Sequence, residues 1–420
     1  MRALRDRKKL QSDYIGFFRK KPFLLAVTVI FCAILYLGLP GLLKTTYRSE
    51  LSAAAPLPAA VAVMPPEVVH LPTPKPQKTI YMTGCVAGLP SFRDELVKLA
   101  EETELNGIVI DIKDYTGMLS FVPRSTELND FVSTKCAVSD MKEFIEALHK
   151  KGIYVIGRIT VFQDPLLAKR RPDLAVKKAS DGSIWKDHKG LSFTDPGSKE
   201  VWKHIVSIGK ESYAIGFDEL NFDYIRFPSD GPMTDISFPW SKDRDKSEVL
   251  EGFFKYLSEE LKPKGAVLSA DVFGMTTTNT DDLNIGQVLE KIAPYFDYVA
   301  PMVYPSHYPP RFNNWPDPNA RPYDIVKFSM DSAVKRFLAT STVVALSNVT
   351  PLASTTPPLY PKKPWQIQKL RPWLQDFDYG GNYDIAEVRA QITAVYDAGL
   401  TSWMLWAPTN RYTKGALLPE

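Results

Sequence analysis

From Lys78 onward the chain alternates between short β-branched apolar runs and stretches with helical period, and this alternation limits the fold more than any other feature. The runs are "TIYMTG", "GIVIDIK", "IYVIGRITVF", "GFDELNFDYIRFP", "AVLSADVFG", "YVAPMVY", "LRPWLQDF" and "TSWMLWAP". Between them lie segments such as "DMKEFIEALHKKG", whose Met141, Phe144, Ile145 and Leu148 share one side of a helix. Ser91 and Ser139 are placed to open the first two helices. Strands that each, except the last, lead into a helix predict a closed (β/α)8 barrel of the TIM type.

The connections are unequal. Helix-to-strand links such as "KKG" and "AIG" are short, whereas the strand-to-helix links at 114–138, 163–197, 228–246 and 305–321 far exceed the usual two to six residues. In such barrels the loops after the strands build the functional rim. One stretch, 341–365, departs from the template and reads as an insertion on the opposite rim.

Upstream of the barrel the sequence divides into three. Residues 1–21 are basic, and residues 22–43, "PFLLAVTVIFCAILYLGLPGLL", carry no charge. An uncharged run of this kind suits a transmembrane helix of roughly 20 residues. The Lys and Arg side chains before it predict a cytoplasmic N-terminus and an exported main body. The expected protein is therefore a single-pass signal anchor at the cell membrane with its catalytic domain outside the cytoplasm; a cleaved signal peptide is the competing reading. Residues 44–77, rich in Ala, Pro and Val, read as an extended linker, and 78–420 as the barrel domain. Export permits a disulfide between Cys85 and Cys136, which otherwise read as two small buried hydrophobes.

Several function classes lose support here. A net charge of +3 on 420 residues, with Lys and Arg spread along the chain, offers no basic face for nucleic acid. The five histidines form no His-x-His or His-Glu-x-x-His pattern, which weakens a metal-hydrolase reading. No metal and no cofactor is expected, a structural cation among Asp223, Asp271 and Glu219 being the alternative.

Strand parity selects the side chains that face into a barrel. In the fourth run Phe217, Glu219, Asn221 and Asp223 share one face, and Leu220, Phe222 and Tyr224 the other. The other strands offer Asp111 and Lys113, Arg158 and Thr160, Ser269 and Asp271, Met302 and Tyr304, Trp373 and Gln375, and Met404 and Trp406. Packing alone calls for branched aliphatics in these places, so the polarity points to a reaction centre. A pair of carboxyl groups flanking a glycosidic bond hydrolyses it when one gives a proton to the leaving oxygen and the other supports the oxocarbenium-like centre. Asp223 and Asp271, at comparable heights on adjacent strands, are the candidate catalytic pair. Arg158, Arg226 and Lys113 supply positive partners, and Tyr224, Tyr304, Trp373 and Trp406 flat faces for sugar rings, Trp373 and Trp406 reading equally as barrel packing. Asp111, Glu219, Asn221 and Gln375 complete the expected substrate-binding set. Glu219 with Arg158, and Asp111 with Lys113, also read as buried ion pairs that set register.

The motifs "TGCVAG", "NGIVIDIKDYTGML", "GRITVFQDP", "FDELNFDYIRFP", "SADVFGM", "APMVYPSHY", "RPWLQDF" and "LWAPTNRY" resemble, in order and spacing, a bacterial glycoside hydrolase family formerly described as a domain of unknown function. The resemblance runs from about residue 78 to 412. It implies a TIM barrel distantly similar to the alpha-amylase-like barrels, acting on an envelope or extracellular polysaccharide. It also implies that Asp223 stands at the strand-four nucleophile position. Asp271 stands at the strand-five acid position, where those barrels carry Glu. A non-catalytic glycan-binding or envelope-scaffold barrel is the alternative that the same acidic cleft allows.

Overall fold

The computed structural model describes residues 68–347, 349–352 and 356–419. The expected cytoplasmic segment, the transmembrane helix at 22–43 and most of the linker lie outside the described residues. Among the described residues no helix is long and apolar enough to cross a membrane.

The eight expected runs form the eight parallel strands of a closed barrel. In chain order they are β1 (Lys78–Met82), β2 (Gly107–Lys113), β3 (Tyr154–Thr160), β4 (Glu219–Asp223), β5 (Val267–Phe273) and β6 (Tyr298–Met302), then β9 (Trp373–Gln375) and β10 (Trp403–Trp406). Strands β7 (Ser341–Thr342) and β8 (Tyr360–Pro361) form a separate antiparallel pair inside the 341–365 insertion. Each barrel strand pairs with its neighbour in the chain, and β1 closes on β10.

The alternating pattern explains the layers. Outward residues of β4, Leu220 and Phe222, pack with Phe253, Phe254 and Phe296 in the shell between strands and helices. Tyr81, Val109, Tyr154, Ile156, Ala300 and Met404 pack inside the cylinder. Phe217 differs from expectation: it is buried in the outer shell. Gly216 has φ of 119° and β4 begins only at Glu219, so the period-two pattern starts after the bend.

Helix boundaries differ from the sequence reading in three places, one being that helix Met141–Lys150 has Asp140, not Ser139, as its N-cap. The first long helix, Pro90–Glu101, has Leu89 as its N-cap and Pro90 in its first turn, not a Ser91 cap. The segment behind β5 is helical only over Leu289–Ile292, because Val288 is extended and Pro294 follows. Helices Lys199–Ala214, Lys246–Leu261, Pro322–Leu338 and Ile385–Asp397 lie where their period places them. The last of these opens on a capping box of Asp384 and Glu387. Cys85 and Cys136 are joined in a disulfide that ties the loop after β2 to the short helix after β1.

The floor of the barrel is held by buried charge. Glu219 and Arg371 form a fully buried ion pair, and the guanidinium of Arg371 lies 3.6 Å from the ring centre of Tyr298. Sequence parity paired Glu219 with Arg158; Arg371, just before β9, is the partner instead, because Glu219 sits at the lower end of β4 and Arg158 at the upper end of β3. Tyr154 donates to Glu219 Oε2 at 3.2 Å and shares a hydrogen bond of 2.9 Å with Thr73. The Leu71 N–H donates to Asp218 Oδ1 at 2.6 Å, and the Val155 N–H to Asp218 Oδ2 at 2.8 Å. Residues 68–77, read from sequence as the end of the linker, thus lie against this floor.

Replacing Arg371 by Met strands a buried carboxylate, at a cost of about 3–5 kcal/mol. The urea midpoint of Arg371→Met should fall accordingly, and adding Glu219→Leu should recover most of the loss.

Candidate active site

The upper end of the barrel gathers groups from four adjacent strands around one guanidinium. Arg158 on β3 stands opposite Asn221 in the register, and Thr160 opposite Asp223. Arg158 Nη1 donates to Asp111 Oδ1 on β2 at 2.6 Å. Its Nε donates to Asp223 Oδ2 on β4 at 3.2 Å, its Nη2 donates to the same oxygen, and Nε lies 3.9 Å from Asp271 Oδ2 on β5. These two legs from Nε bound the Asp223–Asp271 oxygen separation at about 7 Å, within the reach of a two-carboxylate mechanism. Although burial opposes its charge, Asp223 and Asp111 hold the Arg158 pKa well above the ordinary arginine value.

Each carboxylate is set differently. Asp111 accepts from the Tyr81 hydroxyl as well as from Arg158, and burial raises its pKa against the pull of that arginine. Asp223 ends β4, and Tyr224 immediately turns the chain with φ of 52°. Its Oδ1 accepts from the Tyr224 N–H at 2.5 Å. On Asp271 a single oxygen, Oδ1, accepts from Asn221 Nδ2 and from Trp373 Nε1, each at 2.8 Å. Its Oδ2 has no hydrogen-bond partner among the described residues. Burial, and next the charge of Asp223, push the Asp271 pKa up to about 8. Asp271 therefore holds a proton at neutral pH, and Oδ2 is the oxygen free to carry it.

Two adjoining clefts open above these groups, of about 320 Å³ and about 480 Å³. The first contains Asp223, Asp271, Arg226, Tyr304, Trp373 and Trp406; the second adds Asp111 and shares Arg158, Arg226 and Trp406. Tyr304 and Trp406 lie with ring centres 5.1 Å apart and planes at 31°, forming one aromatic wall. Burial, followed by the Asp271 and Asp223 charges, raises the Tyr304 pKa well above the usual phenol value, so its hydroxyl remains a donor.

Four expected residues are not part of these walls. Lys113 is fully buried, 2.9 Å from Asp164 Oδ2 and donating to the Thr160 carbonyl at 2.6 Å. A register irregularity between Asp111 and Lys113 turns it under the rim loops, so the expected Asp111–Lys113 pair does not form. Glu219 belongs to the floor. Asn221 lies beneath the cleft and holds Asp271. Gln375 accepts from the Ser306 hydroxyl at 2.8 Å and donates to the Phe377 carbonyl at 3.0 Å, joining two rim loops. Tyr81, Lys189, Phe273 and Tyr308 line the clefts without having been anticipated. Parity applied to β1 selects Tyr81; the three others sit at a strand end or on loops, where no period operates.

The Asp271 pKa, raised from about 3.9 in an unfolded chain, makes folding take up a proton. The stability from this group is full below the unfolded value and is lost as pH rises through the interval up to about 8. Denaturant midpoints of the unsubstituted chain should therefore decline from pH 5 to pH 8 more steeply than those of Asp271→Asn.

A family model described as "Putative glycosyl hydrolase domain" matches residues 79–412. No curated protein matches this chain. The solved structure of a hypothetical protein from Ruminiclostridium thermocellum ATCC 27405 is 36% identical over 46% of this chain and 97% of that one, with a TM-score of 0.42. The glycoside hydrolase domain of PgaB (BpsB) from Bordetella bronchiseptica is 12% identical over 82% of this chain and 99% of that one, with a TM-score of 0.55, and shares the barrel fold.

Proposed function

Because this chain belongs to the glycosyl hydrolase family matched over residues 79–412, we propose that it is a membrane-anchored, outward-facing glycosidase cutting an envelope or extracellular polysaccharide with Asp271 and Asp223. The observation that carries the mechanism is the asymmetry of the pair. The Asp271 pKa is pushed up and its Oδ2 has no hydrogen-bond partner among the described residues, while Asp223 is bound to a guanidinium. In this reading Asp271 Oδ2 gives its proton to the leaving glycosidic oxygen. Asp223 supports the positive charge that develops on the sugar, as nucleophile or as base to water. Trp373 and Asn221 act as positioning residues, holding Asp271 Oδ1 so that Oδ2 faces the cleft. Trp406 and Tyr304 supply the surface on which a sugar ring stacks.

Membrane anchoring rests on the uncharged run 22–43 behind its basic flank. The Cys85–Cys136 disulfide accords with an oxidising compartment outside the cytoplasm.

The test is release of reducing ends from purified cell-wall and capsular glycans by the full chain. Asp223→Asn and Asp271→Asn should each lower the rate by roughly 10²–10⁴. Asp271→Asn should lose far less on aryl glycosides, whose leaving group needs no proton. The kcat/KM of the unsubstituted enzyme should fall above about pH 8, as the carboxyl pair gives up its shared proton. Glycan binding without any Asp223-dependent product would favour the scaffold alternative.

For the anchor, carbonate-washed membranes of expressing cells should retain the protein, and external protease should degrade the barrel domain in intact spheroplasts. Recovery in the soluble cytoplasmic fraction would count against both.

A further inference from the structure

The clefts hold two cations that their carboxylates leave unpaired. Arg158 is taken up by Asp111 and Asp223. Arg226 and Lys189 line both clefts, and among the described residues neither has an ion-pair partner. Arg226 follows β4, and its guanidinium lies between two rings, 5.0 Å from the centre of Tyr224 and 4.8 Å from that of Phe273. Its Nη1 donates to the Phe227 carbonyl and to Ser229 Oγ, both at 3.1 Å. That anchors one end of the fork. The Nε and Nη2 donors make no hydrogen bond among the described residues, and this is the edge that matches the two oxygens of a carboxylate. Burial lowers the Arg226 pKa, so its charge is held in the cleft at a cost that an arriving anion offsets.

Lys189 comes from the long loop after β3. Its charge adds to burial in lowering the pKa of His307, on the loop after β6, so it acts across the mouth of the first cleft. Asp223, Asp230 and Asp187 face Arg226 and favour its charge, but none forms an ion pair with it among the described residues. Asp187 and Asp230 line only the second cleft, and Asp187 Oδ1 is engaged by the N–H groups of Lys189 and Leu191. The cleft that contains the reacting pair thus presents a flat guanidinium edge with no hydrogen-bond or ion-pair partner among the described residues, and Lys189 lines the same cleft.

We propose that the substrate is an acidic glycan, with Arg226 binding the carboxylate of a uronic-acid unit through its Nε–Nη2 edge and Lys189 adding its charge to the same subsite. This deepens the glycosidase reading and rests on it. A carboxylate places its two oxygens in the plane of the guanidinium edge; a sulfate ester can also offer two oxygens there, and a sulfated probe separates the two.

The experiment measures binding to full-length protein carrying Asp271→Asn, which keeps that position uncharged and leaves the Arg158 contacts in place. The probes are oligosaccharides of glucuronic, galacturonic and mannuronic acid, each beside its carboxyl-reduced neutral counterpart, together with a sulfated neutral oligosaccharide. At least one uronide should bind roughly ten- to a hundredfold tighter than its reduced form. Adding Arg226→Met should erase that preference, Lys189→Met should shrink it, and rising salt should weaken it. Equal binding of the acidic and reduced forms, a preference that survives both substitutions, or tighter binding of the sulfated probe would overturn the proposal. The two readings fail separately. An Arg226-dependent preference without cleavage by the unsubstituted chain keeps the acidic subsite and removes the glycosidase. Asp223-dependent cleavage confined to neutral glycans does the reverse.

Discussion

One guanidinium organises the upper half of this barrel. Arg158 reaches from β3 to carboxylates on β2 and β4 and lies beside a third on β5. Without it, three acids would share a low-dielectric space, and their mutual repulsion would force protonation or open the strands. With it, the acids differentiate. Asp223 and Asp111 are engaged by the guanidinium, while Asp271, farther away and more deeply enclosed, keeps a proton. The difference that acid–base chemistry requires therefore comes first from the burial of Asp271, then from the neighbouring Asp223 charge, and the single guanidinium stands closer to the other two acids than to Asp271.

The strands were legible in the sequence because a parallel barrel writes them as apolar runs set off by turns, and period two put Arg158, Asp223 and Asp271 on the inner face, where their side chains meet. What parity cannot encode is height and partner. Glu219 and Asp223 share a face, yet they sit at opposite ends of β4, and this separates a floor ion pair from a reactive rim. The partner of Glu219, Arg371, stands 152 positions away and precedes its strand, outside the reach of any periodicity argument. Lys113 had the right parity and still left the cleft, because a backbone irregularity at the end of β2 is invisible in composition. Trp373 was read as a sugar platform, but its indole N–H is engaged by Asp271. An aromatic side chain at a cleft can thus serve through its polar edge and not its face.

The loops divide the work further. Lys189, Tyr308 and the Ser306–Gln375 link come from long connections or their junctions, where side-chain placement depends on tertiary contacts formed late in the chain. Such positions tolerate exchange better than Arg158, whose replacement would disturb three strands together. In the proposed reading the chemistry is therefore carried by the staves, and selectivity by the rim.

The underside has its own consequence. Tyr154, the Glu219–Arg371 pair and the Leu71–Asp218 contact seal the cylinder from below with the chain's own residues. The vessel is blind-ended: whatever enters must leave by the same door. A polymer of the proposed kind could not be threaded through it and would have to lie across the opening.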